Sequence, residues 1–266
     1  MSGTCIVEDT LRGHVEIPWE QVDMQILLKA DGLPTYHLAN VVDDHIMEIT
    51  HVIRGEEWLP SAPLHILLYQ AFGWTAPQFA HLPLLLKPEG NGKLSKRDAD
   101  LGGFPVFPME WKDPQTNAIS KGFKQEGYLP EATLNFLAFL GWNPGTEQEL
   151  FSLEELVEAF SLERINKSGA KFDVNKAKWF NEQYLMLKAP EELAKQYLGY
   201  LSAEEGLAFV SLFLDRITFP QELKNLVDSF IEHPVAYDEA VIQNKWNAEA
   251  EKGLRLIEQA LPNVLD

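Results

Sequence analysis

A strand, a helix and a second strand follow one another in the first third of this 266-residue chain. Residues 47–53 and 81–86 are short apolar runs with the composition of strands. Between them, Ser61 indicates the start of a helix and Gly73 indicates its end. Because strands that are joined through a helix pair in parallel, this order predicts a βαβ unit and an α/β fold.

Two further strands and one apolar helix face complete the expected α/β part. Residues 26–28 precede a turn, and residues 38–42 form another apolar run. The stripe expected to be buried on the helix consists of Leu64, Leu67, Leu68 and Ala71. A glycine-flanked loop at residues 87–97 then leaves the last strand, where folds of this class bind ligands.

From residue 130 onward almost every segment has a helical pattern. Ser152 with Glu155 and Ser202 with Glu205 form capping boxes. The expected helices cover residues 130–140, 152–160, 175–187, 190–200, 203–216, 220–232 and 246–260. The aromatic series expected in the core is Phe136, Phe139 and Trp142. The chain is therefore predicted to continue from its α/β part into an all-helical half.

Composition and charge restrict the class of protein. The chain is 45% hydrophobic without a long apolar run, and its single cysteine, Cys5, excludes a disulfide framework. Its start lacks a basic-then-apolar leader. We therefore expect a soluble cytoplasmic protein that does not act at a membrane. A net charge of −18 disfavours non-specific nucleic-acid binding, so a polynucleotide partner must meet a local basic face, such as residues 87–97 or 164–178.

The loop at residues 87–97 ends in a basic cluster. Lys93 and Lys96 lie three residues apart there, and two ammonium groups on one mobile loop can close on a triphosphate. Taken alone, such a cluster is more often a solvated basic turn. Its neighbours in the sequence decide between the two interpretations.

Four stretches occur in a characteristic order. Residues 36–45 read YHLANVVDDH, residues 52–58 read VIRGEEW, residues 93–97 read KLSKR, and residues 172–181 read FDVNKAKWFN. At these spacings the chain closely resembles the glutamyl-tRNA synthetases of bacterial type, which are class I aminoacyl-tRNA synthetases. The third stretch resembles the KMSKS signature of that class, with Leu94 in place of Met and Arg97 in place of the final Ser.

The resemblance implies ATP-dependent activation of L-glutamate and its transfer to tRNA(Glu). The carboxylate attacks the α-phosphate without needing a general base, so catalysis consists of positioning and charge stabilisation. The implied catalytic residues are Lys93 and Lys96, and the implied ATP-binding residues are Lys93, Leu94, Ser95, Lys96, Arg97, Glu57 and Trp58. The implied glutamate-binding residues are Tyr36, Asn40 and Arg54, because a guanidinium pairs bidentately with a carboxylate. Outside this context Arg54 would be a surface ion-pair residue and Trp58 a core tryptophan.

A metal site at Asp43, Asp44 and His45 is not expected, since adjacent carboxylates on a strand face apart and no further ligands follow. Mg²⁺ should arrive with ATP instead. His65 lies in an apolar helix and is expected to be a packed core histidine.

The resemblance also implies a domain order. Residues 1–35 would end an acceptor-binding insertion, and residues 36–97 would form the second half of a Rossmann-type catalytic domain. Residues 98–189 would be the stem-contact region, and residues 190–266 part of the helical anticodon-binding domain. Because the HIGH motif of the class is missing, we expect a truncated enzyme that alone forms no glutamyl-adenylate.

Two alternatives remain open. Glutaminyl-tRNA synthetase shares the class and the signature loop, and a non-catalytic tRNA-binding module could derive from a synthetase. A P-loop nucleotidyl transferase is excluded by the lack of a GxxxxGK[ST] motif. The expected oligomeric state is a monomer, and residues 102–121 have no assigned role beyond connection.

Overall fold

The computed structural model describes residues 2–90, 92–231, 236 and 238–260. The chain divides into two compact units. The first consists of Met1–Ala189 and Asp215–Pro220, and the second of Pro190–Leu214 and Gln221–Asp266. Within the described part of the chain, none of the helices has the length and apolar character required to cross a membrane.

The first unit begins with a four-stranded sheet and two helices. These elements are β1 (Thr4–Asp9), β2 (Gly13–Pro18), α1 (Tyr36–Ile46), β3 (His51–Gly55), α2 (Ala62–Phe72) and β4 (Gln78–Leu82). The strand order is β2-β1-β4-β3, and β4 pairs in parallel with both β1 and β3, while β2 is antiparallel to β1. The predicted βαβ unit is thus confirmed as β3, α2 and β4. The sheet also includes two strands from residues 4–18.

Several predicted strands are displaced or wrong. Residues 38–42 are helical, because Val41 in α1 packs on Leu68, Tyr69 and Phe79, and this tertiary packing overrides the strand preference of its β-branched run. Residues 47–50 form a turn in which Glu48 has a φ of 57°, so β3 starts only at His51. The predicted strand 81–86 is interrupted after Leu82, and residues 26–28 contribute one bridge, Leu28 to Pro34.

Helix α2 ends as predicted but buries a different face. Gly73 closes it in the left-handed conformation, with a φ of 72°. The buried positions are Ala62, Pro63, His65, Leu68 and Tyr69, whereas Ala71 is exposed. Of the predicted stripe, Leu68 is buried and Leu64 and Leu67 are half-buried, so the prediction is wrong for Ala71. The turn of helix that includes His65 faces the sheet, and this orientation brings an imidazole to the strand ends.

The rest of the first unit is built from short strands and helices. They are β5 (Leu85–Leu86), α3 (Lys96–Gly102), β6 (Trp111–Lys112), β7 (Ile119–Ser120), α4 (Phe123–Glu126), α5 (Pro130–Ala138), α6 (Leu153–Ala159), β8 (Ala170–Lys171) and α7 (Val174–Met186). Strand β5 pairs in parallel with β8, and β6 with β7 forms a small antiparallel ribbon inside the segment 102–121. The segment is therefore partly ordered as a hairpin rather than irregular throughout.

An aromatic core holds these helices together. Phe123, Phe136, Phe172 and Phe180 are all buried in one cluster, and Trp142 is buried in the adjoining one. The predicted core role of Phe136 and Trp142 is confirmed, and the half-buried Phe139 packs against both clusters. Two fully buried asparagines lie between the helices, and their side chains bond backbone groups of the loops.

The second unit is helical. Its helices are α8 (Pro190–Tyr197), α9 (Ala203–Phe213), α10 (Glu222–Ile231), α11 (Glu239–Lys245) and α12 (Ala248–Ala260). The capping boxes predicted at Ser152 and Ser202 are confirmed. Helix α11 was not predicted, and residues 232 and 261–266 lie outside the described residues.

Asn181 provides a test of the packing in the first unit. Its side chain accepts from Leu129 N–H at 2.7 Å and donates to the carbonyls of Gly127 at 3.3 Å and Thr218 at 2.6 Å. Because Asn181→Leu leaves these buried groups unpaired, we expect a loss of about 2–4 kcal/mol in the free energy of unfolding, measured with urea. The control is the exposed Asn175 on the same helix, where Asn175→Leu should cost less than about 0.5 kcal/mol. A loss below about 1 kcal/mol at Asn181 would contradict the argument.

Candidate active site

Three side chains form a row across the carboxyl ends of the parallel strands. Arg54 in β3 is the direct register partner of His81 in β4, and Asp9 closes β1 beside them. Arg54 Nε donates to His81 Nε2 at 3.0 Å, and His81 Nδ1 lies 2.6 Å from Asp9 Oδ2. This edge of an α/β sheet is where such folds bind ligands.

The carboxylate of Asp9 is buried and fully engaged. Its Oδ1 accepts from the backbone N–H groups of Leu11 at 3.0 Å and Arg12 at 2.9 Å. Its Oδ2 accepts from the backbone N–H of His81 at 3.0 Å as well as from the ring. Burial acts to raise the pKa of Asp9, but the hydrogen bonds from His81, Arg12 and Leu11 outweigh it and hold that pKa below its ordinary value.

Two histidines from the helices reach the same guanidinium. Arg54 Nη1 lies 3.1 Å from His65 Nδ1, and His65 Nε2 lies 2.9 Å from His37 Nδ1. His65 is buried as expected of a core histidine, but it is also part of this polar network. Burial and the positive charge of Arg54 lower the pKa of His65 to about 3.

The predicted glutamate-binding residues lie around Arg54. Tyr36 begins α1 with its ring half-exposed, and its ring centroid is 4.6 Å from that of Trp58. One turn further, Asn40 Nδ2 donates to Asp44 Oδ2 at 3.1 Å. Burial lowers the pKa of Arg54, while the Tyr36 hydroxyl and the Asp44 carboxylate act in the opposite direction. The structure thus places Tyr36 and Asp44 beside the guanidinium and holds Asn40 through Asp44.

Glu57, Trp58 and Lys93 connect this group to the predicted ATP-binding loop. Glu57 and Trp58 lie in a 3₁₀ turn directly after β3. Lys93 Nζ donates to Glu57 Oε1 at 2.6 Å, and this bond holds the pKa of Glu57 below its ordinary value. The Trp58 carbonyl lies 3.5 Å from Arg54 Nη2. The two predicted subsites are therefore adjacent.

The remaining loop residues have structural partners that the sequence did not indicate. Ser95 caps α3, donating to Asp98 Oδ2 and accepting from Asp98 N–H at 3.4 Å, so its hydroxyl is already engaged. Leu94 packs against the aromatic core cluster, and Arg97 is exposed on the first turn of α3. The predicted loop therefore ends at Ser95, and Lys96 and Arg97 belong to a helix. Asn91 of this loop lies outside the described residues.

Lys96 has different partners from Lys93. Its Nζ lies 3.4 Å from the centroid of the Trp111 ring and 3.7 Å from Asp113 Oδ2. Both partners belong to the hairpin of the segment 102–121. The two lysines, expected to act together, thus have separate partners in this structure.

Sequence reasoning missed Asp9, His37, His81 and Asp44 as site residues. Asp9 and His81 are 72 residues apart, so their pairing has no local signal. For Asp43, Asp44 and His45, the structure shows a helix rather than the expected strand, with His45 stacked on Trp74. In the described part of the chain, no group of three histidine, cysteine or carboxylate side chains is placed to hold a metal ion.

The chain resembles known proteins in sequence and in fold. Residues 1–179 match the family described as "tRNA synthetases class I (E and Q), catalytic domain". The chain belongs to this family. Among relatives of this synthetase chain, a "Glutamate--tRNA ligase" of Cytophaga hutchinsonii is 57% identical over 96% of the chain and 51% of that protein. One of Bacteroides fragilis is 52% identical over 98% of the chain and 54% of that protein.

Solved structures show the same synthetase fold. A glutamate tRNA ligase from Elizabethkingia meningosepticum, described as in complex with its amino acid, matches with a TM-score of 0.90 and 44% identity. The match covers 98% of this chain and 54% of that one. A glutamate-tRNA synthetase from Elizabethkingia anophelis matches with a TM-score of 0.85 and 47% identity, covering 92% of this chain and 51% of that one. The chain therefore spans about half the length of the relatives it matches. Its α/β class is confirmed.

The neutral state of His65 makes the stability of this synthetase chain pH-dependent. Since the pKa of His65 is about 3 in the folded chain and about 6.5 when exposed, the unfolded chain binds the proton first as the pH falls. Stability should therefore decrease by about 1 kcal/mol per pH unit below about pH 6.5 for this residue. Urea unfolding at several pH values measures this slope.

The variant His65→Gln should flatten that slope between about pH 6.5 and pH 4.5, a window above the ordinary carboxylate range. The control is the exposed His51, where His51→Gln should leave the slope as in the parent chain. An unchanged slope in His65→Gln would show that His65 is not held neutral.

Proposed function

We propose that this chain supplies the glutamate-binding subsite and the ATP-closing loop of a glutamate–tRNA ligase. The observation that carries the proposal is the placement of Arg54 at the strand ends, beside Tyr36 and Trp58. A half-buried guanidinium there offers paired N–H donors to a carboxylate, which is the group that distinguishes glutamate. The relatives carrying the name glutamate–tRNA ligase support the same assignment.

The reaction proposed is the joining of the glutamate α-carboxylate to the α-phosphate of ATP. The carboxylate oxygen forms the new bond to phosphorus, and pyrophosphate leaves. Lys93 and Lys96 would stabilise the phosphate charge, with Mg²⁺ brought by ATP and held by phosphates and water. Trp58 would pack on the adenine, and Glu57 would hold Lys93 until the phosphates replace it.

In a second step the activated glutamate would pass to the 3′ end of tRNA(Glu). In this proposal residues 98–189 contact the stem of the tRNA, and residues 190–266 belong to the anticodon-binding domain. The first of these ranges carries many of the lysines of an otherwise acidic chain, as phosphate contact requires. A monomeric state and a cytoplasmic location are part of the same proposal.

Glutamine is the competing amino acid. An amide presents one N–H₂ donor group where a carboxylate presents a second acceptor, so a fork made only of N–H donors disfavours it. The names of the relatives also favour glutamate. A non-catalytic tRNA-binding role would not require the contacts of Arg54 and Tyr36 with Trp58 or of Lys93 with Glu57, and these contacts support the catalytic role.

The glutamate subsite can be tested by titrating the chain with L-glutamate and with L-glutamine while recording NMR spectra. We expect glutamate to shift the resonances of residues around Arg54 and glutamine to bind more weakly. Arg54→Gln should reduce glutamate affinity by about tenfold to a hundredfold, since it removes a charge-assisted pair. Arg216→Gln, which changes an exposed arginine, is the control. Equal glutamate binding by Arg54→Gln and the parent chain would contradict the proposal.

The loop can be tested through Trp111. For Lys96 to reach a phosphate it must leave the Trp111 ring, and this contact is worth about 0.5–1 kcal/mol at an exposed site. Trp111→Ala should therefore raise the affinity for ATP with Mg²⁺ by about twofold to fivefold in a calorimetric or NMR titration. The control is Trp246→Ala at an exposed tryptophan of the second unit. A lower ATP affinity in Trp111→Ala would mean that this ring belongs to the nucleotide site.

A further inference from the structure

The side chains that form the hydrogen-bond network around Arg54 have no role in the function proposed above. They are Asp9 and His81 on one side and His65 and His37 on the other. Asp9, His81 and His65 are buried, with 4%, 0% and 1% of their surface exposed. Because a buried polar group without a hydrogen-bond partner destabilises the fold, each group in this row must be paired. This requirement constrains where the protons lie.

The proton positions follow from which groups can only donate or only accept. An ionised Asp9 accepts, so the ring nitrogen facing it, His81 Nδ1, carries a proton. Arg54 Nε donates, so the nitrogen facing it, His81 Nε2, must offer a lone pair. His81 is therefore neutral, with its one proton on Nδ1. A doubly protonated ring would point an N–H at the Nε–H of Arg54.

The proton position on His65, on the other side of Arg54, follows in the same way. Arg54 Nη1 can only donate, so His65 Nδ1 accepts at 3.1 Å. Neutral His65 then has its proton on Nε2, which donates to His37 Nδ1 at 2.9 Å. The two histidines that touch the guanidinium are thus held in opposite tautomers. Each directs one lone pair at Arg54.

Neutral acceptors at these two positions have a chemical consequence. A carboxylate in direct contact with Arg54 would form a bidentate pair and compete with a carboxylate ligand. Here the buried negative charge of Asp9 is separated from the guanidinium by an imidazole. Asp44, the other carboxylate near Arg54, accepts a hydrogen bond from Asn40. Among the described residues no carboxylate forms an ion pair with the guanidinium, and Nη2 has only the long 3.5 Å contact with the Trp58 carbonyl.

We propose that His81 and His65 are positioning residues for Arg54. In the tautomers set by their contacts with Asp9, Arg54 and His37, they orient the guanidinium without an ion-paired carboxylate, so that its N–H donors can bind the carboxylate of a ligand. The proposal rests on the function proposed above, in which Arg54 binds the side chain of glutamate. It adds that selectivity for a carboxylate depends on two imidazoles that never contact the ligand.

The charged and titratable groups around the row are consistent with neutral imidazoles. Those facing Arg54 and His81 are Asp9, Arg12, Tyr36, His37, Asp44, His65 and Tyr69. Burial and the charge of Arg54 lower the pKa of His81, although Asp9 acts to raise it. Burial also lowers the pKa of His37. Acid should therefore weaken ligand binding only at pH values below the ordinary range for histidine.

The first test needs no ligand. Two-dimensional ¹H–¹⁵N NMR of the histidine rings distinguishes the two neutral tautomers and the charged form, and the variants His81→Gln and His65→Gln assign the resonances. At pH 7 we expect His81 to have its proton on Nδ1 and His65 to have its proton on Nε2. A charged His81, or one with its proton on Nε2, would overturn the inference whatever glutamate does.

The second test measures glutamate affinity in the same chain by NMR titration. His81→Leu removes the acceptor facing Arg54 and should lower the affinity by about tenfold or more. His81→Gln keeps a neutral acceptor with similar reach and should recover part of that loss. His51→Leu, an exposed position in the same sheet, is the matched control. The ¹H–¹⁵N backbone spectrum of each variant verifies that it is folded.

The outcomes separate this inference from the proposed function. Loss in His81→Leu with recovery in His81→Gln supports the inference. If Arg54→Gln abolishes glutamate binding but His81→Leu binds like the parent chain, the positioning role is wrong and the function stands. If Arg54→Gln binds glutamate normally while the tautomers are as expected, the proposed function is wrong, and the role assigned to the histidines falls with it.

Discussion

The hydrogen bond between Asp9 and His81 is the constraint on which the sheet and the site both depend. A buried carboxylate is costly unless its oxygens are fully bonded, and Asp9 achieves this with three backbone N–H groups and one ring. Those bonds join the end of β1 to β4, whose register in turn places His81 opposite Arg54. The orientation of the guanidinium thus depends on the pairing of the three strands β1, β4 and β3. A site built on paired strands is positioned more precisely than one built on a loop.

Helices α1 and α2 position the remaining side chains of the site. Val41 packs with Leu68 and Phe79, and this contact sets α1 against α2 over the strand ends. Because residues three and four apart share one helix face, Tyr36 and Asn40 face the site together, and His65 reaches it from α2. The apolar packing between α1, α2 and the sheet therefore determines where the polar side chains of these helices lie relative to Arg54. A substitution at Val41 would disturb the site without touching any group in it.

The sequence predicted best where local rules decide the outcome. The capping boxes at Ser152 and Ser202 and the left-handed Gly73 are local signals, and the structure has them where expected. The strand predicted at residues 38–42 was wrong because its β-branched residues were weighed without the helices and strands they pack against. Asp9 and His81 could not have been paired from one sequence, since only strand register brings them together.

In this acidic chain, the lysines that we propose to bind phosphate are paired with carboxylates. In this structure Lys87, Lys93 and Lys96 each have a carboxylate partner, Asp98, Glu57 and Asp113 respectively. Pairs at such exposure are worth about 0–1 kcal/mol each, so they hold the ammonium groups without binding them tightly. A triphosphate has more charge than any of these carboxylates, and exchanging one anion for the other leaves no cation unpaired. In the proposed function, the net charge of −18 opposes the approach of a nucleotide, and the local exchange of anions favours its binding.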